Sequence, residues 1–84
     1  MVKLLISKRA EKDTKAMNPI EVERVRDAVA KLADWPAAGG DIKKLQNREG
    51  YRLRVGQYRV LFHLENDENT LVIDRIRPRG EAYE

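Results

Sequence analysis

The stretch Tyr51-Arg-Leu-Arg-Val-Gly-Gln-Tyr-Arg-Val-Leu-Phe62 constrains this chain more than any other segment. Apolar and basic residues alternate through Tyr51–Val55, a Gly56-Gln57 pair interrupts, and the alternation resumes at Tyr58. Period-two alternation on both sides of a two-residue break containing glycine predicts a β-hairpin. Residues flanking the break then face each other, so Val55 opposes Tyr58, Arg54 opposes Arg59 and Arg52 opposes Leu61. That register puts Arg52, Arg54 and Arg59 on one face. Leu53, Val55, Tyr58, Val60 and Phe62 take the other, which is the face a core would cover. Like charges directly opposite one another weaken a sheet by up to roughly 1 kcal/mol. A sheet that crowds three guanidinium groups is built to meet an anion.

The elements around the hairpin follow from punctuation and spacing. Val2-Lys-Leu-Leu-Ile6 is too short and too interrupted for a secretory leader or a membrane span, so it reads as a strand and a cytoplasmic location is expected. Ser7 can cap a short helix reaching about Met17. Asn18-Pro19-Ile20-Glu21 combines an N-cap residue, proline at the first helical position and a capping-box glutamate. Val22, Val25, Val29 and Leu32 then make one apolar stripe ending near Trp35. Pro36 and Gly39-Gly40 end the helix and open a loop, which Ile42 and Leu45 pin to the core. After the hairpin, Asn66–Asn69 reads as a turn and Thr70–Arg77 as a last strand, broken by Pro78 and Gly80. Either Leu71/Ile73 or Val72/Ile76 can face inward on that strand. The order is β-α-α-β-β-β, an α+β fold with an antiparallel sheet and both N-terminal helices packed on one face. With 84 residues the chain buries roughly 60–65% of its unfolded surface, enough for one domain, 1–84, around a single two-layer core.

Charge and missing residues narrow the chemistry. Lysine plus arginine number 17 against 14 acidic residues, a net charge of +3, and the two signs nearly balance as far as Asp41. Lysine disappears after Lys44, and every later cation (Arg48, Arg52, Arg54, Arg59, Arg75, Arg77, Arg79) is arginine. Arginine matches phosphate and carboxylate with a planar donor fork, whereas lysine acts as a point charge. The bias points to nucleic acid or an acidic protein partner. The absence of cysteine removes disulfides, thiolate catalysis and a cysteine zinc site. A single histidine removes two-histidine acid–base catalysis, and Asn66–Asn69 lacks the spacing and following ligands of a calcium loop. No cofactor or metal is expected. If this chain cleaves phosphodiesters, arginine and tyrosine must carry most of the chemistry.

The element order, Lys43-Lys44-Leu45, the hairpin, and the closing Arg77-Pro-Arg-Gly-Glu-Ala-Tyr83 together resemble the RelE/ParE toxin superfamily over nearly the whole chain. The match is closer to RelE than to ParE. The resemblance implies a toxin of a type II toxin–antitoxin system: a ribosome-dependent endoribonuclease that cuts mRNA in the A site and so inhibits translation. A cognate antitoxin would hold it inactive, operator DNA would be met only through that complex, and no membrane would be involved. By motif position the catalytic basic residues fall on Arg52, Arg54, Arg59 and Arg77, and the closing aromatic on Tyr83. In RelE-like enzymes the 2′-hydroxyl attacks the adjacent phosphate, leaving a 2′,3′-cyclic phosphate and a 5′-hydroxyl, while the cations stabilise the charge on the phosphorane-like transition state. The best-known members carry lysine where this chain has Arg52 and Arg54, and one of those lysines has been proposed as general base. Arginine stays protonated, so the acid–base assignment does not carry over. The alternatives are a ParE-like inhibitor that poisons DNA gyrase by binding, and a relic that binds RNA or antitoxin and cuts nothing.

Each of these residues also has a plainer reading. The hairpin arginines can be a solvated face with acidic neighbours such as Asp74, and Arg77 can end a strand in water. Tyr83 can pack as a lid on the sheet. Lys43, Lys44, Arg48 and Arg79 are assigned to RNA-backbone contacts, with a solvated loop as the alternative. His63 falls on the arginine face, where its pKa suits acid–base work, but a structural strand residue is the preferred reading.

Overall fold

The computed structural model describes residues 1–78. Its elements are β1 (Lys3–Ile6), α1 (Lys8–Thr14), α2 (Pro19–Ala30), a 3-10 turn (Lys31–Asp34), β2 (Asp41–Lys44), β3 (Tyr51–Val55), β4 (Tyr58–Glu65) and β5 (Thr70–Pro78). The fold is α+β, as the sequence predicts. Both helix starts form at the expected caps. Ser7 Oγ accepts from Ala10 N–H at 3.0 Å, and Asn18 Oδ1 accepts from Glu21 N–H at 2.9 Å. Each cap satisfies an amide that the first helical turn leaves without a partner. The Glu21 carboxylate leaves its helix and accepts from the Tyr58 hydroxyl at 2.9 Å, tying α2 to the hairpin.

The sheet differs from the expected one in two respects. It has five strands in the order β1-β5-β4-β3-β2, and β1 runs parallel to β5 while the other pairs are antiparallel. The added strand, β2, lies in the segment expected to be a loop. Ile42 is its only apolar residue, and it is flanked by Asp41, Lys43 and Lys44. A short, charged strand is how natural sheets blunt an edge against pairing with other chains. Such a strand carries no apolar alternation for a sequence reading to find.

The hairpin register is the one counted from the sequence: Val55 opposite Tyr58, Arg54 opposite Arg59, Arg52 opposite Leu61. Gly56 turns the hairpin at φ +56, and a Cβ there would lie 3.1 Å from the Arg24 guanidinium. Gly50, at φ +117, brings the loop before β3 against β4, where a Cβ would stand 2.7 Å from the Phe62 carbonyl oxygen. Only glycine fits either position without strain.

One β-bulge settles the phase of β5. Leu61 pairs with Arg75 but Phe62 pairs with Ile73, so Asp74 is the extra residue. Leu71 and Ile73 face inward before the bulge and Ile76 after it. With Ala10, Val25, Val29, Leu32, Leu53, Val60 and Phe62 they form the core between helices and sheet. Trp35 packs on this core edge-on to Tyr51 and Phe62, with ring centroids 4.8 and 5.5 Å away. The helices thus cover one face of the sheet and leave the arginine face to the other side.

Beyond Ile73 the outer edge of β5 runs past the end of β1, and α1 takes over. Ser7 N–H donates to the Ile73 carbonyl and Ser7 Oγ to the Asp74 carbonyl, each at 3.0 Å. Farther along, Asp13 Oδ2 accepts from Ile76 N–H at 2.8 Å. A side-chain carboxylate stands where a longer β1 would have supplied a carbonyl.

Candidate functional site

Across the uncovered face, cross-strand pairing stacks charged residues into rows. One row runs Asp41–Arg54–Arg59–Arg77 over β2, β3, β4 and β5. The next runs Lys43–Arg52–Leu61–Arg75 over the same strands. Neighbouring strands lie about 4.8 Å apart, so the three arginines of the first row originate within roughly 10 Å. Arg54 is exposed, while Arg59 and Arg77 are half-buried.

Asp41 closes the row at its β2 end. Its carboxylate lies 3.5 Å from Arg52 Nη1 and 3.7 Å from Arg54 Nη1, and its carbonyl accepts a 3.4 Å hydrogen bond from Arg52. The Arg54 pair is exposed on both sides, so it adds little stability. Arg52 is different. The sequence count placed it on an open face, but the residue is only 5% exposed. A guanidinium so enclosed is held by protein acceptors and is poorly placed to reach a ligand without rearrangement.

Asp74, considered from sequence as a neighbour of the hairpin arginines, belongs elsewhere. Its Oδ2 lies 2.8 Å from His63 Nδ1, and Glu65 Oε2 lies 2.8 Å from His63 Nε2. The hydrogen bond with Asp74, then that with Glu65, raises the His63 pKa above its ordinary value. Both ring nitrogens donate in the cationic imidazolium, so two carboxylates hold the protonated form. This geometry supports the structural reading of His63 over a general base. The carboxylate that does reach the row, Asp41, escaped notice because β2 did; reading Asp41–Lys44 as a strand would have put Asp41 beside Arg54.

Asp13 fixes the β5 end of the second row, at Arg75. It receives Arg75 Nε on Oδ2 at 2.9 Å and Arg75 Nη2 on Oδ1 at 3.1 Å, in addition to the Ile76 amide. Burial pushes its pKa up, but the hydrogen bonds from Arg75 and Ile76 and the charges of Arg75 and Arg77 outweigh this and hold it below the usual value. Lys43 pairs with Arg52 and Lys44 with Tyr51, and both line a cleft of about 260 Å³ with Arg52 and Arg54. Arg48 lies apart from the row, in a cleft shared with His63, Asp74 and Arg9. Arg79 and Tyr83 lie outside the described residues. Among the described residues no group of three or more histidine, cysteine or acidic side chains is placed to hold a metal ion.

Residues 4–83 match the family model described as the ParE toxin of type II toxin–antitoxin systems. This chain belongs to the RelE/ParE toxin family. The "Putative toxin RelE1" of Methanocaldococcus jannaschii is 32% identical over 81 residues, covering 93% of this chain and 90% of the relative. The RelE–RelB complex of Pyrococcus horikoshii shares the fold, with a TM-score of 0.79 at 24% identity over 96% of this chain and 98% of that one. The toxin–antitoxin complex RelBE2 of Mycobacterium tuberculosis gives a TM-score of 0.78 at 25% identity, covering 93% and 98%. The family model is described as ParE while these relatives are named RelE, so membership fixes a toxin of a type II toxin–antitoxin system without fixing its target. No helix among the described residues of this toxin is long and apolar enough to cross a membrane.

Proposed function

We propose that this toxin is a RelE-type endoribonuclease that cuts mRNA on the ribosome. The observation that carries the reading is the row Arg54–Arg59–Arg77, three guanidinium groups at one level on three adjacent strands. An in-line attack of the RNA 2′-oxygen on the neighbouring phosphorus breaks the bond to the 5′-oxygen. The products are a 2′,3′-cyclic phosphate and a 5′-hydroxyl; one proton leaves the nucleophile and one reaches the leaving oxygen. Charge accumulates on the phosphorane oxygens between these events, and preorganised donors facing them lower the barrier. Arg54, Arg59 and Arg77 take that role. Arg52, enclosed beside Asp41 in the neighbouring row of the same face, orients Arg54 through that carboxylate, and Tyr83 is assigned to the substrate base or the leaving group. Arginine donates and does not abstract, so positioning of the 2′-hydroxyl by the ribosome carries more of the rate than a protein base does. Lys43, Lys44, Arg48 and Arg79 serve RNA-backbone contacts around this centre.

The test is controlled induction in a bacterium, following amino-acid incorporation and mapping mRNA 5′ ends, with an Arg59→Ala/Arg77→Ala variant alongside. Rapid arrest with new cuts in translated frames, abolished in the variant at equal expression, is the expected result. Intact mRNA on arrested ribosomes would refute the reading. A second reading, supported by the ParE description of the matching family model, is inhibition of DNA gyrase by binding alone. Its mark is gyrase-dependent DNA breakage while protein synthesis at first continues, insensitive to loss of Arg77. Normal growth on verified overexpression would mark a relic that kept the fold without the toxicity.

The protein partner is a cognate antitoxin, in keeping with the RelB-bound states of relatives. The apolar groove of about 320 Å³ between β1, α1 and α2, lined by Leu4, Ile6, Val22 and Val25, suits an amphipathic antitoxin segment. Acidic residues of the same partner would cover the arginine face. Absence of micromolar binding to the neighbouring operon product would count against this.

A further inference from the structure

A cleft of about 450 Å³ lies not on the arginine row but beside it, between α1 and the end of β5. Its size falls within the range of small-ligand pockets, roughly 300–1,000 Å³. Arg9 and Lys12 from α1 face Arg75 and Arg77 from β5 across it. Arg9 and Lys12 are three apart on a helix and therefore present their charges on one side. The carboxylate in the cleft, Asp13, directs its oxygens at Arg75 and the Ile76 amide. Tyr58 also lines the cleft, and its hydroxyl is held by Glu21. Arg77 belongs both to this cleft and to the arginine row.

We infer that this cleft is a second nucleotide subsite, which takes the residue of a single-stranded RNA next to the phosphate held at the row. Arg9 and Lys12 receive that nucleotide's phosphate, and the Tyr58 ring with Met17 offers its base an apolar wall. A positively charged groove with an aromatic platform is the general solution for single-stranded nucleic acid. The subsite extends the proposed RNA site and rests on that reading for its ligand class. Its position gives the RNA a direction of exit, off the sheet at the β5 edge and along α1.

The test is fluorescence anisotropy of a 5′-labelled oligouridylate with the whole chain at several salt concentrations. Each phosphate that the protein ceases to neutralise removes about 0.7 from the slope of log K against log salt for a single strand. Arg9→Ala/Lys12→Ala gives up the one phosphate the two side chains share and flattens the slope by about 0.7, so that a rise from about 50 to 200 mM salt costs it about 2.6-fold less affinity than the parent protein. Lys8→Ala/Lys15→Ala removes the same charge from α1 and its C-cap, outside the cleft, and leaves the slope nearer that of the parent. Amide shifts during the titration should appear at Arg9, Lys12 and Met17. Equal effects of the two double variants, no RNA binding at all, equal binding of polyglutamate, or shifts confined to β3 and β4 would each overturn the subsite. Cleavage on ribosomes is read separately, so oligonucleotide binding in this pattern by a toxin that cuts nothing would sink the nuclease reading and leave the subsite standing.

Discussion

Replacing Asp13 by asparagine should uncouple the end of β5 from α1. Asparagine keeps the shape of the side chain, but it retains one oxygen and turns an NH2 toward groups that themselves donate. Three hydrogen bonds are at stake: two from Arg75, at 2.9 and 3.1 Å, and one from Ile76 N–H at 2.8 Å. Hydrogen bonds involving a charged group contribute about 1.5–3 kcal/mol each, less where water can compete. Arg75 is partly solvated, with 24% of its side chain exposed, so its share is discounted and the Ile76 amide bond counts in full. The expected loss is about 2 kcal/mol, equivalent to a fall in Tm of about 8–16 °C for a domain of this size. The pH dependence gives the decisive control. Asp13 titrates below its ordinary value, so its contribution is complete above the unfolded pKa of about 3.9 and fades as pH falls through the lower folded value. Urea unfolding of both proteins at pH 7 and again near pH 3 measures this directly. The two curves should converge in acid. A difference below about 0.5 kcal/mol at pH 7, or one of the same size near pH 3, would refute the assignment of Asp13 as the charged partner of this edge.

The arginine row predicts a separation of activity from stability: Arg59→Ala or Arg77→Ala should cut mRNA cleavage by about 10²–10³-fold. In the same Arg59→Ala protein, urea unfolding should show a stability change within about 1 kcal/mol of zero, because opposed like charges are relieved. Arg52→Ala should cost about 1–3 kcal/mol in urea unfolding through poorer packing and an abandoned Asp41, whereas Arg54→Ala, exposed at the same carboxylate, should stay within about 0.5 kcal/mol. His63→Gln should destabilise most in mild acid. The folded pKa of His63 is raised, so its contribution is full below the unfolded value of about 6.5 and is lost as pH rises through the folded one. Thermal melts of parent and variant should therefore draw together as pH rises from about 5.5 through the raised folded value.

The hairpin was legible because both levels of information agree there. Alternation fixed the faces, the Gly56-Gln57 break fixed the register, and nothing in the tertiary structure overrode them. The helix starts at Ser7 and Asn18 were legible for the same reason, since a cap is a local device. What escaped was set by the sheet as a whole. Asp41–Lys44 becomes a strand because β3 offers it an edge, not because its own residues demand one. The parallel docking of β1 on β5 joins Lys3 to Thr70, almost the full length of the chain away, and no local pattern encodes it. In the site, the shared level of Arg54 and Arg59 could be counted, but neither the alignment of Arg77 with them, which the bulge in β5 sets, nor the enclosure of Arg52 could. Burial of a charged side chain depends on what the rest of the chain folds over it, and no count along β3 contains that.

Asp74 has a consequence larger than one unpaired residue. Counting by twos from Leu71 would send Arg75 and Arg77 toward the helices; counting back from Ile76 would send Leu71 and Ile73 toward water. Neither count describes β5, which is two half-strands of opposite parity joined at a spacer. The first half anchors the core beside β1, and the second aims cations outward. Forcing Asp74 into the ladder would therefore invert one half, whereas deleting it would let Ile73 and Arg75 follow each other and keep every face as it is. What the spacer adds is a carboxylate for His63 and a carbonyl for Ser7, so the residue that breaks the sheet's rhythm also fastens the sheet to its neighbours.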